Sequence, residues 1–211
     1  MRVRVKLCGV TRLEDVLLGI ELGVDALGFN FVPGSPRRVL PEAARDLAAA
    51  VPPFVARVGV FVDEPPAALE RTARMAGLTC LQLHGDESPE VCEAMPLPWY
   101  KVFRVGPDFT PPSVERYRST ACLLDAWAED RRGGTGSVFD WKVARRLPAG
   151  MRVIVAGGLT PENVQEAIAA AAPYAVDVNS GVESAPGRKD RGLLSLFMQR
   201  VRAAAPRQEN A

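Results

Sequence analysis

The stretch Lys6-Leu7-Cys8-Gly9-Val10-Thr11-Arg12-Leu13-Glu14 decides the fold. It begins as the end of an apolar run, turns at a glycine and enters a helix signal. Thr11 to Glu14 reads as a capping box, with a hydroxyl at the cap and a carboxylate three residues on. Leu13, Val16, Leu17 and Ile20 then fall at i, i+3, i+4 and i+7 and predict one apolar helix face. Strand, short turn and helix make one βα unit. The turn Cys8-Gly9-Val10-Thr11 is not the GxGxxG fingerprint of a dinucleotide-binding, doubly wound sheet.

Outward from this unit the same pattern recurs. Strand-like runs occupy residues 3–8, 26–31, 55–62, 79–83, 99–105, 121–125, 152–156 and 174–178. Ser88-Pro89 and Thr160-Pro161 each place a cap residue before a proline at the first helical position. Pro41 and Pro65-Pro66 open two more helices. The weakest helical signal covers residues 113–118, and the last helix is expected from near Asp190 to about Ala204. Eight βα units with no break in composition predict an α/β fold, a single (β/α)8 TIM barrel over residues 1–205. Residues 206–211 read as a frayed tail. A doubly wound open sheet is the alternative.

Hydrophobic residues form 47% of the 211, enough for a substantial core, and the formal net charge is +1. No Lys/Arg run forms a basic stripe, so nucleic acid is not an expected partner. No stretch approaches the length of a membrane span, and the chain enters its first strand without an apolar leader. The four cysteines form no CxxC pair and there is a single histidine, so no finger-type metal site is expected. Free thiols suit a reducing compartment, and the cytoplasm is the expected location.

In such a barrel, chemistry gathers at the C-terminal ends of the strands. Cys8 ends the first strand and Asp125 the sixth, where a thiol and a carboxyl can converge on one mouth. One group can take a proton while the other gives one, which is the minimum for a sugar isomerase without metal or cofactor. Cys8 could instead be a small buried residue, and Asp125 a helix cap or ion-pair partner. Lys6 lies two residues before Cys8 and shares its face. Inside the barrel it would favour thiolate. Gly157-Gly158 after the seventh strand and Ser180-Gly181 after the eighth fit a phosphate site, or simply tight turns. Arg37, in the loop after the second strand, suits bidentate capture of a carboxylate or phosphate, and one of the pair Arg37-Arg38 is expected to be only a solvated charge. His84 is either a substrate contact or a loop hydrogen-bonding residue. Asp177 is an interior polar group or ion-pair partner. The loop Gly133-Gly134-Thr135-Gly136 is expected to fold over a ligand or to serve as a surface linker.

These residues resemble one family. Lys6-Leu7-Cys8-Gly9-Val10-Thr11, Ser35-Pro36-Arg37, Gln82-Leu83-His84-Gly85, Leu123-Leu124-Asp125, Ala156-Gly157-Gly158-Leu159 and residues 176–183 are similar to segments of phosphoribosylanthranilate isomerase, a (β/α)8 enzyme of tryptophan biosynthesis. The resemblance implies an Amadori rearrangement of N-(5-phosphoribosyl)anthranilate to the 1-deoxyribulose 5-phosphate derivative. It implies Asp125 as the general acid that opens the furanose and Cys8 as the base that takes the C2 proton. It implies Arg37 for the anthranilate carboxylate, and Gly158 with Ser180-Gly181 for the phosphate. It implies no cofactor or metal, a small phosphorylated substrate as partner, and a monomer or homodimer. Free Cys and Asp titrate near ~8.5 and ~3.9, each on the wrong side of neutrality for these roles. Lys6 is expected to lower Cys8, and burial to raise Asp125.

Three rivals remain open at this stage. A related sugar isomerase of histidine biosynthesis would carry carboxylates at both strand ends, and Cys8 argues against it. A non-catalytic phosphate-binding barrel would keep the glycine loops without needing Cys8 or Asp125. An indole-forming lyase on the same fold would need a carboxylate pair and a partner chain.

Overall fold

A computed structural model describes residues 2–126 and 139–204. Eight parallel strands follow one another around a closed barrel: β1 (Arg4–Cys8), β2 (Ala26–Asn30), β3 (Ala56–Phe61), β4 (Cys80–Leu83), β5 (Trp99–Val105), β6 (Ala121–Ala126), β7 (Arg152–Val155) and β8 (Ala175–Val178). β8 pairs with β1 and closes the sheet, so no edge is left open. This is the expected (β/α)8 architecture. The predicted tail, residues 206–211, and the loop of residues 133–136 lie outside the described residues.

Side-chain alternation along the strands sorts the core into two layers. Leu7, Leu27, Leu81, Leu124, Val155 and Val176 point outward and pack beneath the helices. Val58, Tyr100, Val102, Leu123, Ile154 and Ala175 fill the barrel interior. Burying each large outward side chain contributes roughly 1.5–3 kcal/mol. A one-residue slip would send all of them to the wrong face, so the register is strongly specified. The parity that puts Leu7 outside puts Lys6 and Cys8 inside. On β6 and β8 it does the same for Asp125 and Asp177.

The helices are α1 (Leu13–Leu22), α2 (Pro41–Ala48), α3 (Pro66–Met75), α4 (Pro89–Glu93), α5 (Val164–Ala171) and α6 (Arg191–Ala204). Pro41, Pro66 and Pro89 open their helices as expected, and Ser88 caps α4 by accepting from the Val91 N–H. Four expectations are corrected. The Thr11 hydroxyl does not cap α1; it donates to the Gly187 carbonyl at 2.7 Å, and Arg12 occupies the cap position without a side-chain bond. The buried residues of α1 are Asp15, Val16, Leu18 and Gly19, while Leu13 and Leu17 are about half exposed. Gly19 sets this face: a Cβ there would lie 3.1 Å from both Leu7 and Leu27, so the helix backbone rests directly on the barrel. The weak helix at residues 113–118 is a 3₁₀ turn, Pro111–Arg116, and a second 3₁₀ turn, Trp141–Arg146, precedes β7. Finally, α5 begins three residues after Pro161, because Asn163 folds back on the loop instead. A short hairpin that the sequence patterning did not signal, β9 (Glu183–Ala185) with β10 (Arg188–Lys189), stands between β8 and α6.

Candidate active site

The C-terminal strand ends open into a cavity of about 400 Å³. Cys8, Arg37, His84, Asp125 and Asp177 line it, together with Gly157, Gly158, Ser180 and Gly181. Lys6 lies one layer below and is not part of the wall. The other expected site residues are thus brought together from six strand ends or the loops that follow them.

Cys8 is buried at the top of β1 opposite Gly28 of β2. A Cβ on Gly28 would sit 2.9 Å from the Cys8 Sγ and 3.0 Å from the Lys6 Cε, so the missing side chain is what admits the thiol and the lysine stem. Gly28→Ala is therefore expected to destabilise the fold by roughly 1–3 kcal/mol, the usual range for overpacking. It should also lower turnover by displacing the thiol. A thermal melt and a kcat measurement check both.

Lys6 and Asp177 form a buried ion pair, Nζ to Oδ2 at 2.7 Å. This corrects the expected role of Lys6. Burial pushes the Cys8 thiol up and the Asp177 charge adds to that; Lys6 and Lys189 pull it down by less. Lys6 still favours the thiolate, but burial and the Asp177 charge beside it outweigh that pull. Asp177 is itself raised by burial, with Lys6 opposing. Its second oxygen, Oδ1, is buried and has no hydrogen-bond partner among the described residues.

Asp125 stands near the end of β6, where its Oδ1 accepts from the Ala126 N–H at 2.9 Å. Its Oδ2 faces the His84 Nε2 at 3.4 Å, within ion-pair range but not aligned as a hydrogen bond. The other ring nitrogen, Nδ1, lies 3.2 Å from the Gln82 amide nitrogen, and Gln82 Oε1 accepts from the Tyr100 hydroxyl at 3.0 Å. Sequence reading passed over Gln82 and Tyr100. The signal was there in their parity: both are polar at interior positions, Gln82 within an otherwise apolar strand.

Arg37 borders the cavity, as expected, but its fork is not free. Nε and Nη2 bind both oxygens of Glu183 at 2.6–3.1 Å. Only the Nη1 side remains for a ligand, which corrects the expected bidentate capture. Glu183 also accepts from Lys189 at 2.8 Å, and Lys189 in turn donates to Asn179 Oδ1 at 2.9 Å. Burial pushes Glu183 up, yet the hydrogen bond from Arg37 and the charge of Lys189 outweigh it and hold the carboxylate below its usual range. Arg38 is exposed, as a solvated charge should be.

The two glycine loops meet. A Cβ on Gly181 would fall 1.9 Å from the Leu159 carbonyl oxygen, so this glycine is required for the loop after β8 to pack against the loop after β7. Asn163 braces the second of these, accepting from the Thr160 N–H and donating to the Gly158 carbonyl, each at 2.8 Å.

A model of the N-(5′-phosphoribosyl)anthranilate (PRA) isomerase family matches residues 5–200. The N-(5′-phosphoribosyl)anthranilate isomerase of Geobacter sulfurreducens is 49% identical over 200 residues, which is 95% of this chain and 98% of that protein. The crystal structure of the Thermus thermophilus enzyme has a TM-score of 0.87 at 46% identity, covering 95% of this chain and 99% of that one. A second crystal structure, 39% identical with a TM-score of 0.82 over 95% of this chain and 99% of its own, is a phosphoribosyl anthranilate isomerase bound to reduced 1-(o-carboxyphenylamino)-1-deoxyribulose 5-phosphate.

Proposed function

The chain belongs to the N-(5′-phosphoribosyl)anthranilate isomerase family, and from that premise we propose that it converts N-(5′-phosphoribosyl)anthranilate to 1-(o-carboxyphenylamino)-1-deoxyribulose 5-phosphate by general acid–base catalysis. The observation that carries this is the placement of Cys8 and Asp125 on one cavity, with the paired glycine loops on its rim. Asp125 protonates the furanose ring oxygen and the C1–O bond opens to a Schiff base. Cys8 takes the C2 proton, and the enolamine tautomerises to the ketone. The substrate's own nitrogen is the electron sink, so the reading requires neither metal nor cofactor. Backbone N–H groups at Gly157-Gly158 and Ser180-Gly181 hold the phosphate. Lys6 and Asp177 support the floor of the site through their ion pair.

The reading extends to a cytoplasmic enzyme acting as a monomer or homodimer, and four unpaired cysteines agree with a reducing compartment. The deciding experiment makes the substrate in situ from anthranilate and phosphoribosyl pyrophosphate. Protein-dependent loss of the substrate's fluorescence is the expected result, and its absence would remove the proposal.

Arg37 is assigned to the anthranilate carboxylate through Nη1, with Glu183 holding the guanidinium in place. The carboxylate takes no part in proton transfer, so its binding is equal in ground and transition states. Arg37→Ala is expected to raise KM and leave kcat nearly unchanged. A charge-assisted hydrogen bond of roughly 1.5–3 kcal/mol corresponds to about 10- to 150-fold. The same variant should melt lower, because buried Glu183 keeps only Lys189 as a charged partner. Arg38→Ala is the control, with little change in either parameter. Steady-state kinetics that moved Arg38→Ala instead would shift the assignment by one residue.

A further inference from the structure

We propose that Gln82 and Tyr100 are positioning residues that hold the imidazole of His84 with its proton on Nε2, facing Asp125. The inference rests on the reading of Asp125 as the acid. Neither residue needs to touch the substrate; both act through the ring.

The orientation of the Gln82 amide, with Oε1 toward Tyr100, sets the rest of the hydrogen-bond chain. The Tyr100 ring packs in the barrel among Val58, Val102 and Leu123, and the amide oxygen of Gln82 is the acceptor for its hydroxyl proton. Burial pushes the phenol well above its usual range, so the proton stays on it. With Oε1 engaged, Gln82 presents its NH₂ to His84 Nδ1 at 3.2 Å. An amide nitrogen only donates, so Nδ1 must accept. A neutral imidazole carries one proton, which is then on Nε2. That nitrogen lies 3.4 Å from Asp125 Oδ2, buried and without an aligned partner among the described residues.

The arrangement matters after the proton has moved. When Asp125 gives its proton to the ring oxygen it becomes a carboxylate beside His84. An Nε2–H dipole stabilises that new charge, and a small closure would align the bond. The opposite tautomer would aim a lone pair at the carboxylate and oppose the transfer. Interactions that strengthen only as charge develops raise kcat and leave KM alone.

His84 is the sole histidine of the chain, so ¹⁵N labelling of histidine reports this ring and nothing else. The imidazole ¹⁵N spectrum of the ligand-free enzyme is expected to show protonated Nε2 and unprotonated Nδ1. Gln82→Met keeps the side-chain length and removes the amide; it should give a mixture of tautomers. Tyr100→Phe releases the amide to rotate and should give a weaker mixing. Both should lower kcat roughly 3- to 10-fold, the scale of one neutral hydrogen bond, with KM unchanged. Tyr100→Phe decides the matter if Gln82→Met does not fold. An Nδ1-protonated ring in the unaltered enzyme overturns the proposal. So does an unchanged tautomer in the variants, or a changed tautomer with full kcat. Failure of the underlying reading has a different signature: Asp125→Asn would then keep its turnover, whatever the spectrum of the ring.

Discussion

Asp125→Asn is expected to lower kcat by roughly 10²- to 10⁴-fold, the usual cost of losing a general acid, with only a small fall in Tm. Carboxyl and amide are nearly isosteric, and the amide oxygen can still accept from the Ala126 N–H as Oδ1 does now. The new NH₂ would face the His84 Nε2, which disturbs one neighbour and leaves the β6 ladder intact. The variant should therefore bind a product analogue while failing to open the furanose ring. A thermal melt, analogue binding and turnover measured on one preparation decide it. A collapsed Tm would make Asp125 structural; near-normal turnover would make it a bystander.

Cys8→Ser is expected to lower kcat by a similar roughly 10²- to 10⁴-fold with little change in KM. A serine hydroxyl is a far weaker base, and it occupies no more space beside Gly28 than the thiol does. The pH dependence adds a second signature. The base must be deprotonated, so the active fraction rises with pH through the thiol's pKa. Burial and Asp177 push that pKa up against the smaller pull of Lys6 and Lys189. The rising limb of kcat/KM, which reports the free enzyme, should then continue above the ~8.5 of an ordinary thiol. A profile already flat at neutral pH would contradict Cys8 as the base. Loss of the limb in Cys8→Ser, with the acid limb kept, would tie it to this residue. The thiolate formed at such a site is scarce but correspondingly strong as a base.

The barrel was legible because its signals are local. Each strand announces itself within a few residues, and prolines at Pro41, Pro66 and Pro89 fix helix starts through their own geometry. Period-two alternation then carries Cys8, Asp125 and Asp177 to the interior as soon as Leu7, Leu124 and Val176 are taken as outward-facing. The sequence by itself therefore determined the fold, the mouth of the barrel as the site, and the two groups proposed for proton transfer.

Tertiary structure decided the rest. Lys6 meets Asp177 across 171 residues of sequence, and Arg37 meets Glu183 across 146. Neither pairing has a local signature, and each offsets or narrows a role that the isolated residue suggests. Lys6 alone would leave the thiol lowered; with Asp177 beside it and the site buried, its pull is outweighed. Arg37 alone offers a full fork; bound to Glu183, it offers one edge. The same holds for Thr11, whose hydroxyl is drawn from the start of α1 to the Gly187 carbonyl. A side chain's type fixes what it can bind. Which charge or carbonyl stands beside it, and how much water is excluded, depends on the closure of the barrel, which brings β8 against β1 and the hairpin after β8 against the loops that follow β1 and β2.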